Sequence, residues 1–274
     1  MNKVLLCTDC SPSARKAIQY ALHFFTGRPE LEYFLLSTYE IPNVQDQELI
    51  SVNDSLRLKT KKSIQEEIDW LTQLPHFTSE SITSIPHFGN TVNAIHRMTE
   101  KHSIDLIVAG TKGENAEKAR LIGNTARSII ESGPCRKMII PASANFGKLN
   151  KKMLLLDAQK LGDLEWWSSV TDLSQLQNYE LFLTILPDEK NPASNHRQHI
   201  PSNIEKQLSG IADLSSHSSA ETKQNLDNIL RKENPDLLNI HVNSEEKVRP
   251  FVLEQDSPNI LQMDIPFFIN SFTA

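Results

Sequence analysis

No stretch of the chain approaches the roughly 20 consecutive apolar residues that a bilayer-spanning helix needs, so no membrane partner is expected. The opening MNKVLLCTDC does not have the form of a signal peptide: its apolar stretch is very short and Asp9 follows at once. The expected location is therefore cytoplasmic. Three cysteines in 274 residues are too few for a disulfide scaffold. Basic residues do not exceed acidic ones (28 Lys and Arg against 34 Asp and Glu, net charge −6), which excludes the general basic face of a nucleic-acid binder. The G-x-S-x-G motif is absent, the nine histidines are scattered without zincin spacing, and no Ser–His–Asp set can be nominated. What remains is 39 % hydrophobic and 23 % charged, a globular composition with length enough for two α/β domains.

Apolar periodicity resolves the first half into alternating elements. Lys3 to Thr8 is a short apolar strand. Ser11 suits a helix cap and Pro12 the first helical position. Ala14, Ala17, Ile18, Ala21, Leu22 and Phe25 then recur at spacings of three and four, one face of a helix that Gly27 ends. Further strands are expected at Glu32 to Tyr39, Ile82 to His87, Ile104 to Ala109 and Lys137 to Pro141. Helices are expected from about Asn53 to Leu74, from Thr91 to Lys101 and from about Asn124 to Ser132. In the first of these, Ile64, Ile68 and Leu71 share a face, while Lys59, Lys61 and Lys62 followed by Glu66 and Glu67 read as a solvated, ion-paired face. The run IDLIVA is apolar on both faces, as a central strand is. Strands alternating with helices imply a parallel sheet covered on both sides, and right-handed crossovers make it doubly wound.

The second half repeats this order. KKMLLLDA, residues 151–158, echoes NKVLLCTD, residues 2–9, and an ungapped pairing of the two places Ala158 opposite Asp9. A helix carrying Leu164, Trp166, Trp167 and Leu176 follows. Strands are then expected at Tyr179 to Pro187 and Ile211 to His217, a helix near Glu221 to Lys232, and strands at PDLLNIHV and DIPFFIN. The polar segment from Asp188 to His199 reads as a loop. The fold class is thus α/β, two tandem doubly wound parallel sheets of five strands, with domains at 1–146 and 150–274.

The most informative stretch is IDLIVAGTKGENAEKARLIGNTARSII, residues 104–130. Gly110 follows the fourth strand directly, Gly113 comes after two intervening residues, and Gly123 after nine more, with Asn124 and Thr125 opening a helix. Glycines at the carboxyl end of a strand let backbone approach a ligand, and a following helix start offers amides to phosphate. This is neither the Walker A loop nor G-x-G-x-x-G. On spacing alone, plain turn and cap residues are an equal reading.

Together with CTDCSPSARKAIQYA, the stretch from Asp105 to Pro141 resembles the universal stress protein family, and the layout of the chain resembles its tandem two-domain members. The resemblance implies a non-enzymatic stress-response or signalling module, at most a slow ATPase, that binds ATP or AMP, with Mg²⁺ as a candidate companion of the phosphates. Gly110, Gly113 and Gly123 match the family pattern G-x2-G-x9-G-(S/T). Asn124 departs from it, with Thr125 next. The resemblance implies phosphate contacts at these residues and Lys112, an adenosine contact at Asp9 with Thr8 beside it, and an adenine contact at Thr38. Family domains commonly pair through their fifth strands, which implies intramolecular pairing of the two halves, with a homodimer as the other arrangement. The counterpart of the glycine loop, residues 239–260, has no glycine and carries Glu245, Glu246, Glu254 and Asp256, so the second half is expected not to bind nucleotide. The alternative for the whole chain is an interaction module of the same fold without nucleotide.

Cys7 and Cys10 form a Cys-x-x-Cys pair at the end of the first strand. No second pair completes a zinc site, Asp9 would raise a neighbouring thiolate's pKa, and Cys135 lies far along the chain. All three are expected to be reduced and structural.

Overall fold

The computed structural model describes residues 2–39, 49–74, 82–112, 122–131, 135–144, 149–157, 180–186, 206, 213–219, 223–242 and 265–270. The chain divides into two compact units, Met1–Ser143 and Ala144–Ala274.

The first unit runs β1 (Lys3–Cys7), α1 (Pro12–Phe24), β2 (Glu32–Tyr39), α2 (Leu49–Leu71), β3 (Ile82–Phe88), α3 (Thr91–His102), β4 (Leu106–Gly110), α4 (Asn124–Ile130) and β5 (Arg136–Ile140). Its strands pair in parallel in the order β3-β2-β1-β4-β5. The winding reverses between β1 and β4, whose residues Val4, Leu5, Leu6, Leu106, Ile107 and Val108 are buried, as strands covered on both faces must be. Ser11 caps α1 by accepting from the Ala14 amide at 3.2 Å, and Pro12 opens the helix. Phe25 rather than Gly27 is its C-cap; Gly27, at φ +85°, turns the chain two residues later. Asn90 caps α3 through the amides of Val92 and Asn93, and Ser103 ends that helix in the left-handed region at φ 53°.

The second unit contains β6 (Lys151–Asp157), β7 (Glu180–Leu186), β8 (Asp213–Ser219), α5 (Lys223–Glu233), β9 (Leu237–His241) and β10 (Phe267–Ile269). These strands also pair in parallel, in the order β10-β9-β6-β7-β8, the same winding as the first sheet. The expected Leu- and Trp-rich helix and the segment from Asp188 to His199 lie outside the described residues.

Individual hydrogen bonds repeat as well. The Asp105 carboxylate accepts from the amides of Asn2 and Lys3 at 2.7 and 3.1 Å; the Asp236 carboxylate accepts from those of Asn150 and Lys151, both at 2.9 Å. The Glu32 amide donates to the Asn2 carbonyl and the Glu180 amide to the Asn150 carbonyl, each at 2.7 Å. Asn234, like Ser103, has positive φ after its helix. These anchors fix Lys151 as the counterpart of Lys3, which corrects the ungapped pairing by one residue. Asp157, not Ala158, stands where Asp9 does. Counting from Asp105 and Asp236 in the same way, His241 takes the place of Gly110.

Candidate functional site

A cavity of about 400 Å³ opens in the first unit beyond the carboxyl ends of β1, β2 and β4, where the strand order reverses. Thr8 and Asp9 reach it from the turn after β1, Leu36 and Thr38 from β2, and Ala109, Gly110, Thr111 and Lys112 from β4 and the residues after it. Gly123, at the N-cap, and Asn124, Thr125, Ala126 and Ile129 of α4 line the other side.

The local sequence explains this convergence. Thr111 continues the sheet by donating its amide to the Ile140 carbonyl at 3.1 Å, and its own carbonyl accepts from the Gly123 amide at 2.7 Å. That second bond brings the two ends of the intervening loop together, so Lys112 and Asn124 border one space although 12 positions separate them. Gly110 is under a specific steric demand. A Cβ there would lie 3.2 Å from Ser13 Oγ and 3.3 Å from its carbonyl oxygen, tighter than ordinary van der Waals contact. The bare backbone lets the first turn of α1 approach β4. Gly123 caps α4 without a side-chain hydrogen bond.

On the turn after β1, the Cys10 amide donates to Thr8 Oγ1 at 2.9 Å and the Ser11 amide to Asp9 Oδ1 at 3.1 Å. The turn is built on Cys10 in the left-handed region at φ 63°, a conformation that costs an L-residue about 1–2 kcal/mol. On the far side, Thr38 Oγ1 and Thr91 Oγ1 share a hydrogen bond of 2.6 Å at the start of α3. Lys112 and Asp9 give the cavity one basic and one acidic side chain.

All of the sequence-predicted site residues except Gly113 line this one cavity: Thr8, Asp9, Thr38, Gly110, Lys112, Gly123, Asn124 and Thr125. Gly113 lies outside the described residues. Sequence analysis missed Thr91 and Thr111. Thr91 belongs to no motif, but in a parallel sheet every strand-to-helix turn gathers at the same edge, and the turn from β3 to α3 could have been included on that ground.

The thiols follow burial more than the neighbouring acid. Burial, with Cys135 adding to it, pushes Cys7 up to about 12. Burial and then the Glu67 carboxylate push Cys10 up to about 11, with Asp9 the smallest contributor. The expected influence of Asp9 is therefore minor. All three cysteines are free, and among the described residues no three of His, Cys, Asp and Glu converge as a metal site.

Among the described residues, no helix is long and apolar enough to cross a membrane. No curated protein sequence matches the chain closely enough to count as a relative. Among solved structures, a universal stress protein from Archaeoglobus fulgidus DSM 4304 is similar over 99 % of both chains, with a TM-score of 0.67 at 14 % identity. A putative universal stress protein from Pseudomonas aeruginosa UCBPP-PA14 is similar over 98 % of this chain and 93 % of its own, with a TM-score of 0.54 at 10 % identity. At such identities the likeness speaks for the fold. The sequence profile of the universal stress protein family matches residues 1–141, which include every strand of the first sheet and every described residue around the cavity. The chain is a member of the universal stress protein family.

Proposed function

We propose that the first unit binds an adenine nucleotide, ATP or AMP, and that the protein acts as a stress-response or signalling module rather than an enzyme. The observation that carries this is the convergence of Gly110, Gly123, Asn124 and Thr125 with Asp9 and Thr38 on one cavity at the switch point of the sheet. Its volume of about 400 Å³ falls in the range of small-molecule sites. In this reading Gly110, Gly113, Gly123 and Asn124 present backbone to the phosphates, Thr125 donates its hydroxyl and Lys112 adds charge. Asp9, beside Thr8, takes the ribose, and the base lies toward Thr38. A divalent ion would enter on the phosphates of ATP, since the described residues offer no cage of their own.

The second unit is proposed as a relative of the first that does not bind nucleotide and serves in interaction. It keeps an acid, Asp157, in the place of Asp9 but puts His241 in the place of Gly110. The His241 side chain is buried, and Asn270 Nδ2 donates to its Nε2 at 2.6 Å.

Isothermal titration with ATP, ADP and AMP tests the proposal. Gly123 has φ −74° and ψ 157°, a conformation that a β-branched residue adopts readily, so Gly123→Val changes the cavity wall without straining the backbone. Saturable binding that is lost in Gly123→Val is the expected result. No heat with any of the three would overturn it and leave the interaction module without nucleotide. Steady phosphate release by the wild type above the Gly123→Val level would overturn the non-enzymatic part.

A further inference from the structure

The cavity is not uniform from one side to the other. Lys112, Gly123, Asn124 and Thr125 stand on the side of β4 and α4, Asp9 follows β1, and Leu36 and Thr38 lie on β2 with Thr91 of α3 beside them. The strand order β2-β1-β4 sets the spacing of these groups. Neighbouring strands lie about 4.8 Å apart, so β2 stands roughly 10 Å from β4. That separation suits a nucleotide laid across the three strands. With its phosphates at β4 and its sugar at β1, it presents the edge of the base farthest from the sugar to Thr38 and Thr91.

Thr38 Oγ1 and Thr91 Oγ1 lie 2.6 Å apart, and either atom can be the donor. Each hydroxyl has one hydrogen and two acceptor lone pairs. Their mutual bond uses one hydrogen, and among the described residues neither hydroxyl makes another hydrogen bond. The pair therefore keeps one spare hydrogen, on whichever oxygen accepts. The far edge of adenine is an amine donor beside a ring-nitrogen acceptor. In hypoxanthine the same positions hold a carbonyl acceptor and a ring N–H donor. Facing adenine, one hydroxyl accepts from the amine and donates to the second, which donates to the ring nitrogen. Facing hypoxanthine, the order reverses: the second accepts from the ring N–H and donates to the first, which donates to the carbonyl. Both hydroxyl hydrogens are used in either case.

We infer that Thr91 is a specificity-determining residue, and that the Thr38–Thr91 pair, by reversing its own hydrogen bond, admits nucleotides of both aminopurines and oxopurines. The inference rests on the nucleotide reading for the placement of the base and widens its ligand class from adenine to hypoxanthine. A site with a fixed donor and a fixed acceptor would leave polar groups unpaired against one of the two edges, which is how such sites reject the mismatched analogue.

The test is titration of the full chain with AMP and with inosine monophosphate, whose base is hypoxanthine. The two affinities should agree within about tenfold, the worth of roughly one net hydrogen bond. A preference beyond about tenfold in either direction would overturn the inference and leave nucleotide binding standing. Thr91→Val removes the hydroxyl and keeps the shape, and the α3 cap, which is Asn90, stays in place. It should weaken both nucleotides about tenfold, whereas Thr91→Ser, which keeps the hydroxyl, should stay within about threefold of the wild type for both. Wild-type affinity in Thr91→Val, or a loss in Thr91→Ser as large as in Thr91→Val, would remove Thr91 from base recognition. Absence of binding of AMP, ADP, ATP and inosine monophosphate by the wild type would overturn the nucleotide reading and this inference together.

Discussion

Gly110 and His241 hold the same register position at the ends of corresponding strands, one without a side chain and one with a buried imidazole. The glycine borders the cavity of the first unit; the histidine is packed into the second and bonded to Asn270.

Copying the second arrangement into the first therefore makes a prediction. Gly110→His should abolish nucleotide binding in titration, because the new side chain starts where backbone now lines the cavity. It should also destabilise the first unit by about 1–3 kcal/mol, since even a Cβ crowds Ser13. Wild-type affinity in this variant would remove Gly110 from the ligand site.

The converse change tests the packing of the second unit. His241→Ala deletes a buried ring and leaves the Asn270 amide without the acceptor it has at 2.6 Å. The expected loss is about 2–4 kcal/mol in denaturant unfolding, combining the cavity and the stranded donor. A loss below about 0.5 kcal/mol, the scale of surface substitutions, would mean that the site is not packed as described.

Asp105 gives a pH dependence. Burial pushes its carboxyl up, but the amides of Asn2 and Lys3 and the nearby Arg136 outweigh it and hold the group below its ordinary value of 3.8. A folded-state pKa below the unfolded one means stability that is present above pH 3.8 and lost as pH falls through the lower, folded value. Asp105→Asn should cost about 1 kcal/mol at neutral pH, at the modest end for bonds to a charged acceptor because the site is solvent-screened. The wild-type advantage should shrink on acidification below pH 3.8, measured by urea unfolding at several pH values. A difference independent of pH would show that the charge is not involved.

The thiols should be slow toward iodoacetamide. Cys7 at about 12, Cys10 at about 11 and Cys135 at about 11 are all protonated at neutral pH. Cys135 is further held by donating to the Ile104 carbonyl at 3.3 Å. Mass spectrometry of the native protein at neutral pH should find labelling slower than for a free thiol at all three, and Cys7 labelled only after unfolding, since the thiolate is the nucleophile. Rapid modification of Cys10 would mean that burial does not keep its thiol protonated.

The α/β winding was legible because strands and helices alternate with clear periods, and β2 falls exactly as wide as its apolar run, Glu32 to Tyr39. The glycine stretch pointed to the right edge of the sheet. Glu67 was misread because its charge outweighed its position: its side chain is buried and paired with Arg15 at 3.0 Å, and it lies three residues after Ile64 and four before Leu71, on the apolar face that those residues define. The alignment of the halves slipped by one because two short apolar runs fix no register on their own. The register is fixed instead by Asp105 and Asp236, whose bonds to the strand starts are visible only in three dimensions.

Those two carboxylates also bear on the order of assembly. Asp105 closes onto Asn2 across 103 positions and Asp236 onto Asn150 across 86. During synthesis β1 can meet β2 early, but its other edge stays bare until the ribosome has released the chain through β4. The central pairing of each sheet thus forms late, and the nascent protein carries an open hydrogen-bonding edge for most of the time its first unit is being made.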